Sequence, residues 1–232
     1  MNISNQGKTA ILIFANSSEE ELKHKPMLHG KKLFDTLTNI TLLTVKKTKL
    51  PYFHLTEKEQ EGTTFGARFS NAIQEIITKG FENVIAIGND SPNLTAAIIL
   101  KAEKELKQNK LVLGPSIDGG FYLIGLKKEH FHLELYKNLP WQTANIGKSV
   151  VLAATQHQEY QVSFLPLLVD LDSQEDLKKV LNFNFLLPKA LVKIMLQILK
   201  FFQLHTRAVC LLTYHFVSPN CFNKGSPVVL QF

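Results

Sequence analysis

Three acidic stretches of this chain stand where carboxylates can do chemistry. Asp90 follows Val84-Ile85-Ala86-Ile87, an apolar run that reads as a buried strand, and Gly88, which lets the backbone turn. Pro92 then stops the strand. Asp170 and Asp172 close a second run, in which Val162, Phe164, Leu167 and Val169 are the apolar positions. Asp118 precedes Gly119, Gly120 and the apolar run Phe121 to Leu126, the pattern of a tight turn into a strand. The two glycines also permit close approach of backbone to a ligand. An acid at the carboxyl edge of a parallel sheet lies where α/β proteins bind ligands. Two such acids from separate strand ends can jointly hold Mg2+ or Mn2+, which take hard oxygen ligands and keep waters for a substrate phosphate. The plainer alternative for Asp90 is a turn cap.

Cationic side chains lie near these acids in the pattern. Arg68 sits near the start of a helix marked by Phe65, Phe69, Ala72, Ile73, Ile76 and Ile77 at helical spacing. It either points to the ligand edge or pairs on the surface with Glu61 or Glu75. Lys23, His24 and Lys25 lie in the polar stretch Asn16 to Leu28, where no glycine precedes Gly30. That stretch is a poor phosphate cradle and reads more simply as a solvated loop running into a helix.

The elements that must position these residues alternate. Strands are expected at Thr9–Ala15, Ile40–Val45, Val84–Ile87, Leu111–Gly114, after Gly120, and within Tyr160–Asp172. Helices are expected over Gly62–Lys79, over Leu94–Asn109 with Asn93 as N-cap, and over Thr143–Gln156. Lys46–Glu61, broken by Pro51, reads as a loop, and Phe131–Leu139 as an aromatic-rich linker. Ser173 with Asp176 three residues on resembles a helix capping pattern. The alternation predicts an α/β protein with a Rossmann-like, mostly parallel twisted sheet flanked by helices.

Composition narrows the class. The 232 residues carry a net charge of +6. From Lys189 to Phe232 there are basic residues and no acid, so the first 188 residues are close to neutral. Arg68 and Arg207 are the only arginines. A nucleic-acid partner is therefore not expected. Cys210 and Cys221 form neither a disulfide framework nor a metal motif. With no apolar signal core at the N-terminus, a cytoplasmic setting is expected. The chain divides at 188: a body over 1–188, and a basic apolar tail over 189–232 that is helical and then irregular. Ala190–Phe202 and Ala208–Val217 are too short to span a membrane. The tail closes the core, contacts a second copy, or lies on an anionic membrane surface.

Four motifs in order carry a family likeness. They are Asn89-Asp90-Ser91-Pro92-Asn93-Leu94, Leu113-Gly114-Pro115-Ser116-Ile117-Asp118-Gly119-Gly120-Phe121-Tyr122, Leu139-Pro140-Trp141, and Asp170-Leu171-Asp172-Ser173-Gln174-Glu175-Asp176-Leu177. With Phe65-Gly66-Ala67-Arg68-Phe69, they resemble the radical-SAM/selenodomain-associated transferases, a glycosyltransferase-A-like family of the nucleotide-diphospho-sugar transferase superfamily. The resemblance covers Thr9 to Leu181. It implies a nucleotide or nucleotide-sugar donor and a divalent metal, Mg2+ or Mn2+, held by Asp90 and Asp172. It implies that Asp118, Gly119 and Gly120 line the acceptor or sugar side. On the transferase reading Asp90 and Asp118 are the catalytic residues, Lys23, Lys25 and Arg68 contact the donor phosphates, and Trp141 joins Gly119 and Gly120 on the substrate side. The motifs do not name an acceptor.

One stretch departs from the family. Its members carry a Pro-Gly-Lys-x-Lys-Thr-Arg-Leu-type loop after the first strand, where this chain has Ser17-Ser18-Glu19-Glu20-Glu21-Leu22-Lys23-His24-Lys25-Pro26. Three glutamates there are expected to repel a triphosphate, and lysine lacks arginine's bidentate fork. Two readings follow. One is a metal-dependent transferase moving a glycosyl or nucleotidyl group from a nucleotide-activated donor. The other is a non-catalytic member of the same fold that acts as a binding or interaction protein.

Overall fold

The computed structural model describes residues 8–27, 29–108, 111–155, 162–182 and 187–201. In chain order the elements are β1 (Thr9–Phe14), α1 (Ser18–His24), α2 (Gly30–Thr48), β2 (Tyr52–Leu55), α3 (Phe65–Thr78), β3 (Asn83–Ile87) and α4 (Ala96–Leu106). These are followed by β4 (Leu111–Pro115), β5 (Phe121–Lys127), α5 (Leu133–Lys137), α6 (Ile146–Thr155), β6 (Val162–Phe164) and α7 (Gln174–Asn182). A last helix, α8, runs over 189–201.

The strands form one six-stranded sheet in the order β2-β1-β3-β5-β4-β6. β1 pairs in parallel with β2 and β3, and β4 with β6, while β5 is antiparallel to both of its neighbours. The mixed α/β, mainly parallel sheet agrees with the sequence. β1 is apolar on both faces because both faces are covered. Ala10 and Leu12 join one apolar cluster with α3 and α6, and Ile11 and Ile13 join another with α4.

Several local expectations fail for identifiable reasons. Ile40–Val45 is helical, inside α2. Leu33, Phe34, Leu37, Thr41, Val45 and Thr48 are its buried side, a stripe of helical period that a six-residue window of β-branched residues conceals. The second strand is instead Tyr52–Leu55, a short edge strand in the stretch read as a loop. The N-cap of α4 is Thr95, whose side chain accepts from the Ile98 N–H; Leu94 belongs to the preceding turn and Asn93 does not cap. The linker after β5 contains α5. The cap of α7 is as expected: the Ser173 N–H donates to Asp176 and the Asp176 N–H to the Ser173 Oγ.

α8 buries Leu191, Ile194, Met195 and Ile198 in a third cluster, with Leu33, Phe34 and Leu37 of α2 and Leu177 and Val180 of α7. The described part of the tail therefore closes the core. Among the described residues no helix is long and apolar enough to cross a membrane. Ala208–Val217 and Ser218–Phe232 lie outside the described residues.

Gly66, in the first turn of α3, is pressed against α5 and the segment after it. A Cβ there would meet the Lys137 carbonyl oxygen and come within 2.6 Å of the Trp141 ring. Gly66→Ala gains helix propensity, but the overlap is expected to outweigh it, with a net loss of about 1–3 kcal/mol. Urea unfolding monitored by Trp141, the single tryptophan, checks this; an unchanged midpoint and emission maximum would show that the contact is loose.

Candidate functional site

The glutamate-rich stretch after β1 is α1. Ser17 caps it by accepting from the Glu20 N–H, and Glu19, Glu20 and Glu21 fill the first turn, where carboxylates suit the helix dipole. Ser17 is itself held by Glu57 through its N–H (2.7 Å) and its hydroxyl (2.8 Å). Each of the three glutamates faces a lysine: Glu19 pairs with Lys31 (2.5 Å), Glu20 with Lys23 (2.5 Å) and Glu21 with Lys25 (2.8 Å). The expected repulsion of phosphate is thus largely taken up within the chain.

Lys25, immediately after α1, reaches the acid site. Its Nζ lies 2.8 Å from Glu21 Oε1, 3.1 Å from Asp90 Oδ2 and 2.5 Å from Asp172 Oδ1. Burial alone would lower the Lys25 pKa. Asp90, Glu21 and Asp172 outweigh burial and hold it well above the ordinary lysine range, so the group is an ammonium throughout.

The acids are delivered by backbone pairing. Asp90 stands beyond the end of β3. The chain after β6 runs beside β4 and the turn that follows it, with the Leu168 N–H donating to Pro115, the Ile117 N–H to Leu168 and the Leu171 N–H to Asp90. Asp170 accepts from the hydroxyls of Ser91 and of Ser116, the latter at 2.5 Å. Burial, reinforced by Asp90, pushes Asp170 up to about 7 against these two donors. Burial also raises Asp172, with Asp90 beside it, despite Lys25. In both cases burial is the main cause, and the neighbouring Asp90 adds to it.

These residues line one cleft of about 410 Å³. Asn16, Glu21, His24, Lys25, Asp90, Asp170 and Asp172 are in its polar lining, together with Arg68, Asp118 and Gly120. Phe14, Phe65, Phe69, Phe121 and Trp141 make an aromatic wall. Trp141 lies 4.8 Å from Phe69, 5.2 Å from Phe65 and 5.9 Å from Phe121 between ring centroids. Its Nε1 donates to the Tyr136 carbonyl at 2.7 Å, which fixes the ring.

The structure thus brings together Asp90, Asp172, Lys25, Arg68, Asp118, Gly120 and Trp141. Lys23 is not among the cleft residues: it is exposed and paired with Glu20. Gly119 is also outside the lining. Its φ of 90° and the close approach of the Ala144 carbonyl to where a Cβ would stand give it a backbone role. Asp118 accepts from the Gly120 N–H at 3.0 Å, so it shapes its own turn as well as lining the cleft. Asp170 was marked by the sequence as a second acid at the strand end, and the structure gives it the two serine hydroxyls as partners. Glu21 and the phenylalanines of the lining were not expected in the site. Of these, Glu21, four residues before Lys25 on a helix, left a local signal.

Among the described residues no group of three or more His, Cys, Asp or Glu is arranged to hold a metal. Two carboxylates with waters or phosphates are nonetheless the usual protein share of an Mg2+ site. The donor chemistry fits such an ion. Asp90 and Asp172 come from separate segments and converge on one point, and the Lys25 ammonium stands at that point as a cation in its own right.

The mainly parallel sheet is covered on both faces, and its acid cleft lies beyond the ends of β1 and β3. Solved structures share this fold. The chain is similar to a Desulfovibrio desulfuricans G20 protein proposed to be a nucleotide-diphospho-sugar transferase, with a TM-score of 0.67, 20% identity, and coverage of 82% of this chain and 97% of the other. It is also similar to 4-diphosphocytidyl-2C-methyl-D-erythritol synthase from Anaerococcus prevotii DSM 20548, with a TM-score of 0.51, 13% identity, and coverage of 74% and 95%. At these identities the likeness shows the fold. Residues 46–143 match the model of a family described as uncharacterized protein conserved in bacteria (DUF2064). No curated protein matches the chain.

The raised Asp170 has a consequence for stability. Its folded pKa, about 7, lies above its ordinary value of 3.8, so folding favours the neutral form. That contribution is complete below the unfolded value and is lost as pH rises through about 7. Asp170→Asn stays neutral and can still bond both serines. In EDTA its unfolding free energy is expected to gain on wild type by more than about 1 kcal/mol between about pH 5 and pH 8. A difference independent of pH, measured by urea titration, would show that Asp170 does not titrate in this range.

Proposed function

We propose that this cleft binds a nucleotide-activated donor and that the chain is a transferase moving its glycosyl or nucleotidyl group. The observation that carries the reading is the junction, in one cleft, of the Asp90–Asp172 pair with an aromatic wall and two cations, Lys25 and Arg68. The motif order supports placing it, within the superfamily, with the radical-SAM/selenodomain-associated transferases. Asp90 and Asp172 are the residues to hold Mg2+ or Mn2+. Bound there, the ion would offset donor phosphate charge and stabilise a phosphate leaving group. Arg68 contacts the phosphates, with Lys25 as the second cation available to them. Trp141 and the phenylalanines offer a flat apolar surface for a base or a sugar face. Gly120 lets backbone approach the transferred group, and Asp118 beside it accepts a hydrogen bond from the acceptor.

A second reading, a binding protein of the same fold without turnover, is favoured by α1. A capped, acid-rich helix replaces a loop of free backbone N–H groups, which removes one phosphate cradle.

A thermal-shift panel of nucleoside di- and triphosphates and nucleotide sugars, each with and without Mn2+ or Mg2+, separates the readings when combined with turnover. Ligands of the native state raise apparent stability by mass action. One nucleotide class is expected to raise Tm only with metal, and Asp90→Ala is expected to abolish that metal-dependent part. An unchanged metal-dependent shift in Asp90→Ala would remove Asp90 from the ion site. Shifts without product from any donor would favour the binding protein, and no shift in a folded sample would rule out a nucleotide site.

A further inference from the structure

We infer that Lys25 is the resident cation of the acid site: its ammonium plugs the point where Asp90 and Asp172 converge, excludes a divalent ion until it leaves, and is drawn off by the donor's phosphates, so that ion and donor enter together. The last step rests on the transferase reading; the first two do not.

The geometry carries the plug. Three carboxylate oxygens, from Glu21, Asp90 and Asp172, lie at 2.8, 3.1 and 2.5 Å from one nitrogen. An ion using Asp90 and Asp172 would compete with the ammonium for those oxygens and be repelled by it at contact distance. The Lys25 side chain is 17% exposed, so water screens that repulsion little. The remaining oxygens, Asp90 Oδ1 and Asp172 Oδ2, make no hydrogen bond or ion pair among the described residues. Once the ammonium has moved, two whole carboxylates are available.

The backbone at Lys25 is held independently of its side chain. α1 is pinned at its start by Glu57 and at its end by the Lys25 N–H donating to the Glu21 carbonyl. The backbone of Lys25 can therefore stay in place while its flexible four-carbon stem turns. Lys25 and Arg68 both line the cleft. A diphosphate there offers the ammonium new anionic partners, while the ion that replaces it restores countercharge to the acids. With one ammonium serving three carboxylates, the site is short of positive charge, and exchanging a single for a double charge improves the balance.

The test is Mn2+ binding, followed by the electron paramagnetic resonance of free Mn2+, on the full chain without nucleotide. Lys25→Met is expected to bind Mn2+ at least tenfold more tightly than wild type, and Asp90→Asn in that background to lose the gain. Lys25→Arg, which keeps the charge, is expected to stay weak. Inorganic pyrophosphate, after correction for its own Mn2+ complex, is expected to tighten Mn2+ binding to wild type and to narrow the gap to Lys25→Met. Equal or weaker Mn2+ binding by Lys25→Met would overturn the inference and make Lys25 a tether that the ion site needs. Should Lys25→Met fail to fold, Lys25→Gln keeps a hydrogen-bond donor without the charge, and the pyrophosphate effect is read on wild type; no tightening there overturns the exchange. A nucleotide panel without shifts, alongside the tenfold gain, would remove the transferase reading and leave the plug. Nucleotide shifts alongside equal Mn2+ affinities would do the reverse.

Discussion

The crowding of carboxylates at one end of the sheet is the constraint on which the rest of the site depends. Asp90 stands beyond β3, and Leu171 donates its N–H to the Asp90 carbonyl, which brings Asp170 and Asp172 against the same strand end. Charges so close and partly desolvated are costly without partners. The chain answers in two ways. Asp170 is held by two serine hydroxyls and leans toward its neutral form. Asp172 and Asp90 share the ammonium of Lys25.

That answer accounts for the form of the segment after β1. A glycine-rich loop would leave its N–H groups free for phosphate, whereas this segment is a short capped helix that ends at Lys25. Ser17, Glu57 and the acidic first turn fix its start, and Glu21 steers Lys25 from within the helix.

The opposite wall is organised by packing. Gly66 lets α3 sit against Trp141, whose indole is fixed by the Tyr136 carbonyl and flanked by three phenylalanine rings. The antiparallel β5 places the Asp118–Gly120 turn beside this wall, and Gly119 accommodates the Ala144 carbonyl behind it. The cleft thus has a flat apolar face and a charged end.

The motif residues Asp90, Asp118, Gly120, Trp141 and Asp172 were legible in the chain because each sits at a strand end or turn marked by glycine, proline or an apolar run. The α/β alternation was legible for the same reason: buried strands must be apolar whatever surrounds them. β2 and the α2 region were not, because a four-residue edge strand is half-exposed and Ile40–Val45 has β-branched residues in a helix that packing stabilises. Lys23 and Lys25 are two residues apart and chemically alike in sequence. Only the tertiary structure decides that one faces solvent and the other meets three carboxylates, because a helix turns about 100° per residue and two of the three partners of Lys25 come from beyond the end of β3 and from the chain after β6. Local pattern determined which residue types stood at the sheet's edge; long-range pairing decided which charges met there.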